Sequence, residues 1–353
     1  MLHQVLDGIL TVLILLVLGL LLSIKQWQEW LRRALRRRLI AGTGGPSELQ
    51  PSQAGRIGLT ATAHAQLVFM RSDRPSEQPQ SPQSQTVQSW LKIGSKISVI
   101  SRSKAPALLL AVAVLIAIVA LLLPRVPQPQ AYHNFADHRG WMGVPNFGDV
   151  ASNLPFAIVG IWGLVVLFAA HTVKFADPRE RLPYVVMFVG LILTAIGSAY
   201  YHLAPGNARL VWDRLPMTIV FMSLIAAMIA ERVSVSAGLA SFPVLLIVGA
   251  ASVLQWRASE LEGHGDLRFY AAVQVYSIVV LLLVLFIPPK YTRNSDFAVV
   301  VAFYILAKVL EETDRQIFAL GRVISGHTLK HLTAAAAGYW ILRMLKKREP
   351  LFH

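Results

Sequence analysis

The chain has no cysteine, so disulfides and thiolate metal sites are excluded, while the redox compartment stays open. Charge is also scarce. Only 15% of the 353 residues are Asp, Glu, Lys or Arg, against about a quarter in a soluble domain. Acidic residues are the scarcer sign, 19 against 33 Lys and Arg, which leaves a net charge of +14. Strand-like alternation is missing as well, and the hydrophobic residues, 55% of the total, gather into blocks of about 20. Lipid admits only helices or closed barrels. The expectation is therefore an all-α polytopic membrane protein.

Two apolar spans come first, at about 5–22 and 105–123. Between them lie the basic stretch QWQEWLRRALRRR and a Gly-, Ser-, Pro- and Gln-rich segment that cannot bury a core. This divides the chain into an anchor with its basic stretch (1–40), a linker (41–104), a second span with a short connection (105–131), and a bundle (132–353). Seven further blocks fill the bundle, near 150–170, 184–202, 208–230, 238–256, 269–287, 297–313 and 327–345. The sixth is the weakest, because Lys308, Glu311, Glu312 and Asp314 interrupt its end. Fold class is thus a seven-helix bundle preceded by two additional transmembrane helices.

Loop charges set the orientation. Lys174, Arg179, Arg181, Arg232, Lys290, Arg293 and the tail bases Arg343, Lys346, Lys347 and Arg348 fall on one side. A cytoplasmic location for that side predicts a non-cytoplasmic N-terminus and a cytoplasmic C-terminus. The basic surplus is read as this bias. The cluster from Arg32 to Arg38 lies directly beside a span, and no nucleic-acid partner is expected. The bilayer is the expected surrounding, and no protein partner is inferred.

Three polar signatures break the apolar pattern: GSAYYH with Ser198 and His202, WDRLPM with Asp213, and SGHTLKH with His327 and His331. By the loop count, all three lie at the non-cytoplasmic end of the bundle. Ionisable groups inside a membrane are costly and usually mark a site. Histidines at i and i+4 present two nitrogens to one metal, and a third from another helix leaves one position open, as in a catalytic zinc site. Taken singly, each has a plainer account. HxxxH is also a pair of core histidines, Ser198 can bond the preceding turn, and Asp213 can pair with Arg209 or Arg214. His3, His64, His171, His264 and His353 are read as surface residues.

The order GSxxxH, Asp eleven residues later, then HxxxH on the last helix resembles the alkaline ceramidase family of seven-helix membrane zinc hydrolases. NFGDVASNLPFAIVGIWGL resembles that family's first helix, and the likeness covers about 132–345. It implies zinc on His202, His327 and His331, with Ser198 and Asp213 as catalytic partners of the zinc-bound water and Asp314 near the site. It also implies amide hydrolysis of a ceramide-like membrane lipid to a fatty acid and a sphingoid base. The family's calcium segment corresponds to YHNFADHRGWMGVPNFGD, which offers Asp137, Asn146 and Asp149. That stretch lacks the Trp-x-Glu-x-Asn pattern and the later Glu, so a calcium site is unsupported and Asp137 is free to pair with Arg139. Two rivals share the same residues: a membrane hydrolase of another acyl lipid, and a non-catalytic, receptor-like seven-helix protein.

Overall fold

A computed structural model describes residues 100–169 and 172–351. The first apolar span, the basic stretch and most of the linker lie outside the described residues, as do His3, His64, His171 and His353. Among the described residues ten α-helices run in order: α1 (Ala105–Leu122), α2 (Phe147–Ala151), α3 (Leu154–Phe168), α4 (Arg181–Leu203), α5 (Asn207–Arg232), α6 (Val235–Leu261), α7 (Arg268–Leu283), α8 (Ser295–Glu312), α9 (Asp314–Gly321) and α10 (Gly326–Lys347). There are no strands among the described residues, only two isolated bridges, Trp141 with Val144 and Tyr291 with Pro350. The protein is an all-helical, multi-pass membrane protein.

Among the described residues, six helical segments are long and apolar enough to cross a bilayer: α1, α2 joined to α3, α4 with its leading turn, α5, α6, and α7 with its trailing turn. The last two blocks form α8 and α10. Each carries ionisable residues, and these two helices pack on each other. Neighbours in sequence are neighbours in space from α3 through α7, and α10 closes back onto α3. The backbone of each helix satisfies its own hydrogen bonds, which is what makes such segments viable in lipid.

α5 sits in the middle, between α4 and α6 and touching α7. Its second half is buried nearly all round, with Ile225 and Met228 fully covered. α1 is the opposite case. Leu110, Leu115 and Leu122 are largely exposed, as suits a helix whose outer face meets acyl chains rather than water.

One contact sets the register of α4 on α5. Residue 216 is proline, so the Trp212 carbonyl lacks the N–H that a helix would bring to it. Gly197 of α4 fills the gap: a Cβ there would lie 1.8 Å from that carbonyl oxygen. Only a residue without a side chain allows this approach. Ser198 and His202 are thereby placed next to the start of α5.

Candidate metal centre

The start of α10 is built by capping and close packing. Ser325 accepts from the Thr328 amide at 3.0 Å, an ordinary N-cap. A Cβ on Gly326 would lie 2.3 Å from the Leu310 carbonyl oxygen, so the helix begins tight against the end of α8. Asp314 accepts from the His327 amide and the Ala136 amide, both at 2.8 Å, and so ties α10 to the loop before α2. Asp149 takes the Thr328 hydroxyl at 2.7 Å and the Ser325 hydroxyl at 3.3 Å. The first turn of α10 is thus held from three sides.

That turn carries His327 and His331, and the last turn of α4 carries His202. All three are buried, and one ring nitrogen from each lies within 4.8 Å of the others. The Nε2 atoms of His202 and His327 face each other at 3.3 Å. Ligands at about 2.0–2.1 Å around a tetrahedral metal are ~3.3 Å apart. The closest pair matches that spacing, and the widest separation exceeds it by up to ~1.5 Å. The donor set therefore fits a zinc-like ion after a small inward rotation of one ring.

Hydrogen bonding around the rings supports the same chemistry. His331 Nδ1 lies 2.8 Å from the Ser152 hydroxyl, whose own proton goes to the Asp149 carbonyl. With that proton committed, Ser152 accepts from Nδ1–H and leaves His331 Nε2 with a bare lone pair, the usual support for a metal-ligating histidine. His202 Nδ1 is buried and has no partner. Phe135 lies over both His202 and His327, with ring centroids 4.7 and 4.3 Å away.

Ser198, one helical turn before His202, and Asp213 are both buried. The Ser198 hydroxyl makes no hydrogen bond of ordinary geometry and lies next to the Asp213 carboxyl. Asp213 does not take either arginine as its ion-pair partner. Arg214 donates to Gln128 at 2.7 Å and stacks on Trp256 and Tyr270, while Arg209 lies over Tyr200.

Three residues near the site carry no role in the sequence pattern: Lys308, Glu311 and Lys330. Lys330 Nζ is 2.9 Å from Glu311 and 3.4 Å from His327 Nε2, and Lys308 also pairs with Glu311. The signal for Lys330 was present, since it lies within SGHTLKH on the turn between the histidines. Lys308 and Glu311 read instead as interruptions of a weak span.

The three residues of the suggested calcium segment have other partners. Asp137 forms a forked pair with Arg139, with nitrogen–oxygen distances of 2.8 and 2.7 Å. That guanidinium holds the Asp137 carboxyl below the usual carboxylate range. Asn146 donates to the His202 carbonyl at 2.8 Å, and Asp149 caps α10 as described. His264 is exposed. His133 lies between Tyr201 and Asn207, at 2.8 and 2.7 Å, away from the triad.

A family profile described as dsRNA-gated channel SID-1 matches residues 101–332, about two thirds of the chain. The chain belongs to the dsRNA-gated channel SID-1 family. No curated protein matches it. The SID-1 match begins before α1 and runs through the first turns of α10, so it includes the whole histidine cluster.

Membership of the SID-1 family corrects four expectations. The chain is not assigned to the alkaline ceramidases, it is not a hydrolase, a ceramide-like lipid is not its substrate, and nucleic acid is not excluded as a partner. The ceramidase likeness rested on five polar residues in three short motifs and on the first-helix segment NFGDVASNLPFAIVGIWGL. Such a pattern records how helices gather nitrogens around an ion, and one metal arrangement serves many chemistries. The exclusion of nucleic acid rested on assigning the whole basic surplus to membrane orientation. The same lysines and arginines are also what a phosphate backbone attracts.

Proposed function

We propose that this multi-pass membrane protein is a receptor-like or channel-like protein that engages double-stranded RNA, with zinc on His202, His327 and His331 tying α4 to α10. The family match across residues 101–332 carries the RNA reading. The net charge of +14 supports it, because binding to a phosphate backbone is dominated by Lys and Arg. No turnover is assigned to the site.

The metal reading rests on three buried histidines with nitrogens within 4.8 Å. Imidazole donors in a four-coordinate arrangement suit zinc. Ser152 orients His331. Ser198, one turn before His202 on α4, and the adjoining Asp213 would be the polar groups available to a water bound at that ion. A zinc ion there supplies a cross-link between residues 125 apart in the chain. The bias in loop charges favours a non-cytoplasmic position for this end of the bundle and a cytoplasmic C-terminus.

The test uses the full chain in lipid nanodiscs. A labelled RNA duplex should bind, with affinity falling steeply as salt rises, and a DNA duplex of the same sequence should bind less tightly because it lacks the 2′-hydroxyls. Purified protein should carry about one zinc per chain, and His327→Ala should carry none. Absence of duplex RNA binding at low salt removes the RNA reading and leaves the metal reading standing. Zinc content equal in wild type and His327→Ala removes the metal reading alone.

A further inference from the structure

At the histidine end of the bundle two loops hold large apolar side chains in the open. Leu320 is 89% exposed, Met142 and Val323 78%, and Trp141 59%. The first loop is a two-residue turn. The Trp141 amide donates to the Val144 carbonyl at 3.1 Å and the Val144 amide to the Trp141 carbonyl at 2.9 Å. Met142 and Gly143 between them have φ of 50° and 79°. Such a turn favours Asn, Asp or Gly at its first central position, and a methionine there costs conformational energy. The second loop ends α9. There Arg322 takes the left-handed cap at φ 52°, although a glycine, the usual occupant, stands one residue earlier at Gly321.

Arg139 joins the two loops. Its guanidinium donates to the Arg322 and Val323 carbonyls and lies over the Phe318 ring of α9. The turn comes just before the membrane-crossing segment that α2 opens, so it stands at the edge of the bilayer. Elsewhere at this end, Tyr200 and Trp212 are exposed and Arg209 lies over the Tyr200 ring. Exposed aromatics with an arginine are the composition of a membrane interface, and Trp141 continues that girdle. Arg315 and Arg322 are exposed beside the apolar side chains, and guanidinium pairs well with phosphate. A surface facing water has no use for apolar side chains on turn positions that prefer Asn or Gly.

We propose that the 141–144 turn and the end of α9 form one wedge that dips into the phospholipid surface of the bilayer the protein occupies. Trp141, Met142, Leu320 and Val323 lie among the upper acyl carbons, about 5–10 Å into the boundary of headgroups and chains, and Arg315 and Arg322 meet the phosphates. The wedge is continuous with the metal centre. Arg139 ties it to Asp137, and the same loop carries Phe135 over His202 and His327. The lipid surface is thereby attached to the lid of the site, whether or not a metal is bound.

The absence of cysteine makes the test direct, because any cysteine introduced is the only one to label. Met142→Cys, Leu320→Cys and Val323→Cys, each in the full chain, carry an environment-sensitive nitrobenzoxadiazole dye in phosphatidylcholine nanodiscs. His264→Cys, in an exposed loop at the same end, is the reference. All four positions are exposed, and unchanged melting temperatures show that the labelled chains are folded. Dye at the three wedge positions should emit to the blue of dye at His264→Cys. A nitroxide lipid labelled near the headgroup should quench it strongly, one labelled near the chain end should quench it less, and neither should quench the reference. Dye that emits as in water at the wedge positions overturns the proposal. So does a blue shift without nitroxide quenching, which means that protein covers the patch, either residues 1–99 or a second copy. Equal quenching at His264→Cys overturns it as well, since the whole end would then lie in lipid and the two loops would not be special.

Discussion

α4, α5 and α10 each run from one end of the bundle to the other, and the two ends solve the problem of buried polarity differently. Away from the histidines, α4 supplies Tyr184, α5 supplies Glu231 and the residue after α10 supplies Arg348. Tyr184 donates to Glu231 at 2.7 Å, and Arg348 pairs with the same carboxylate. Arg348 is also sandwiched by the rings of Phe175, Tyr184 and Tyr291. Close by, Glu180 takes both Lys290 and Tyr291, and Arg232 donates to Asn294 at 2.6 Å. The tail is stitched to the loop before α8, with Glu349 accepting from the Thr292 amide and Leu351 donating to the Lys290 carbonyl. Every carboxylate named there has a cation or hydroxyl, and the guanidinium nitrogens left over face aromatic rings.

At the histidine end the leftovers are lone pairs. His202 Nδ1 is buried without a partner, the Ser198 hydroxyl has only the adjoining Asp213 carboxyl, and two ring nitrogens face each other with no carboxylate between them. At one end ion pairs between distant helices close the bundle, with the leftover Arg348 nitrogens over aromatic rings, and at the other three imidazoles converge. The first is a lock, and the second has the donor set of a receptacle.

The sharpest way to break this comparison is at the lock. Arg348→Ala leaves Glu231 as an unpaired buried charge and should destabilise the detergent-solubilised protein by about 3–5 kcal/mol. Replacing both by leucine should recover most of that loss. Thermal unfolding of metal-free protein, with His327→Ala alongside, checks it. If His327→Ala costs as much as Arg348→Ala without metal, the two ends do not differ as described.

The receptacle is probed through Ser152. Ser152→Ala removes the acceptor that holds His331 in the required tautomer and should weaken zinc binding 10–100-fold, with stability of the metal-free protein little changed. Competition against a chelator of known affinity reads the shift, and an unchanged affinity would show that Ser152 does not orient the ligand.

The smallest effect is expected at the loop that covers the site. Arg139 donates to Asp137 and also to the Arg322 and Val323 carbonyls, at 2.6 and 2.8 Å. The Asp137 pKa is lowered in the folded protein. Its contribution is therefore fully present above the unfolded value of about 3.9 and is lost as pH falls through the lower folded value. Hydrogen exchange in residues 135–146 should stay slow down to about pH 4 and rise only below it. Loosening of this loop at pH 5–6 would mean that another group controls it.

The helices were legible because lipid forces every span to announce itself in hydrophobicity. The three histidines were legible because i, i+4 spacing and common depth are local properties. Neither argument reaches Arg348 and Glu231, whose pairing spans 117 residues and leaves no local period. Ser152 was equally hidden, since nothing in SNLPF says which side chain a distant imidazole will meet. Function was misread for a related reason. Ser198, Asp213 and the histidines describe a coordination geometry, and the use made of it is carried by the rest of the chain, most of which is ordinary hydrophobic sequence.

The long reach of the Arg348–Glu231 pair also bears on how the protein is made. Synthesis adds about 5–20 residues per second, so Glu231 waits roughly 6–23 s for the residue 117 positions later that neutralises it. During that interval the end of α5 carries a carboxylate without its arginine, which is costly in lipid. Glu231 therefore stays close to water until α10 arrives, and final seating of the central helix belongs to the last stage of membrane insertion.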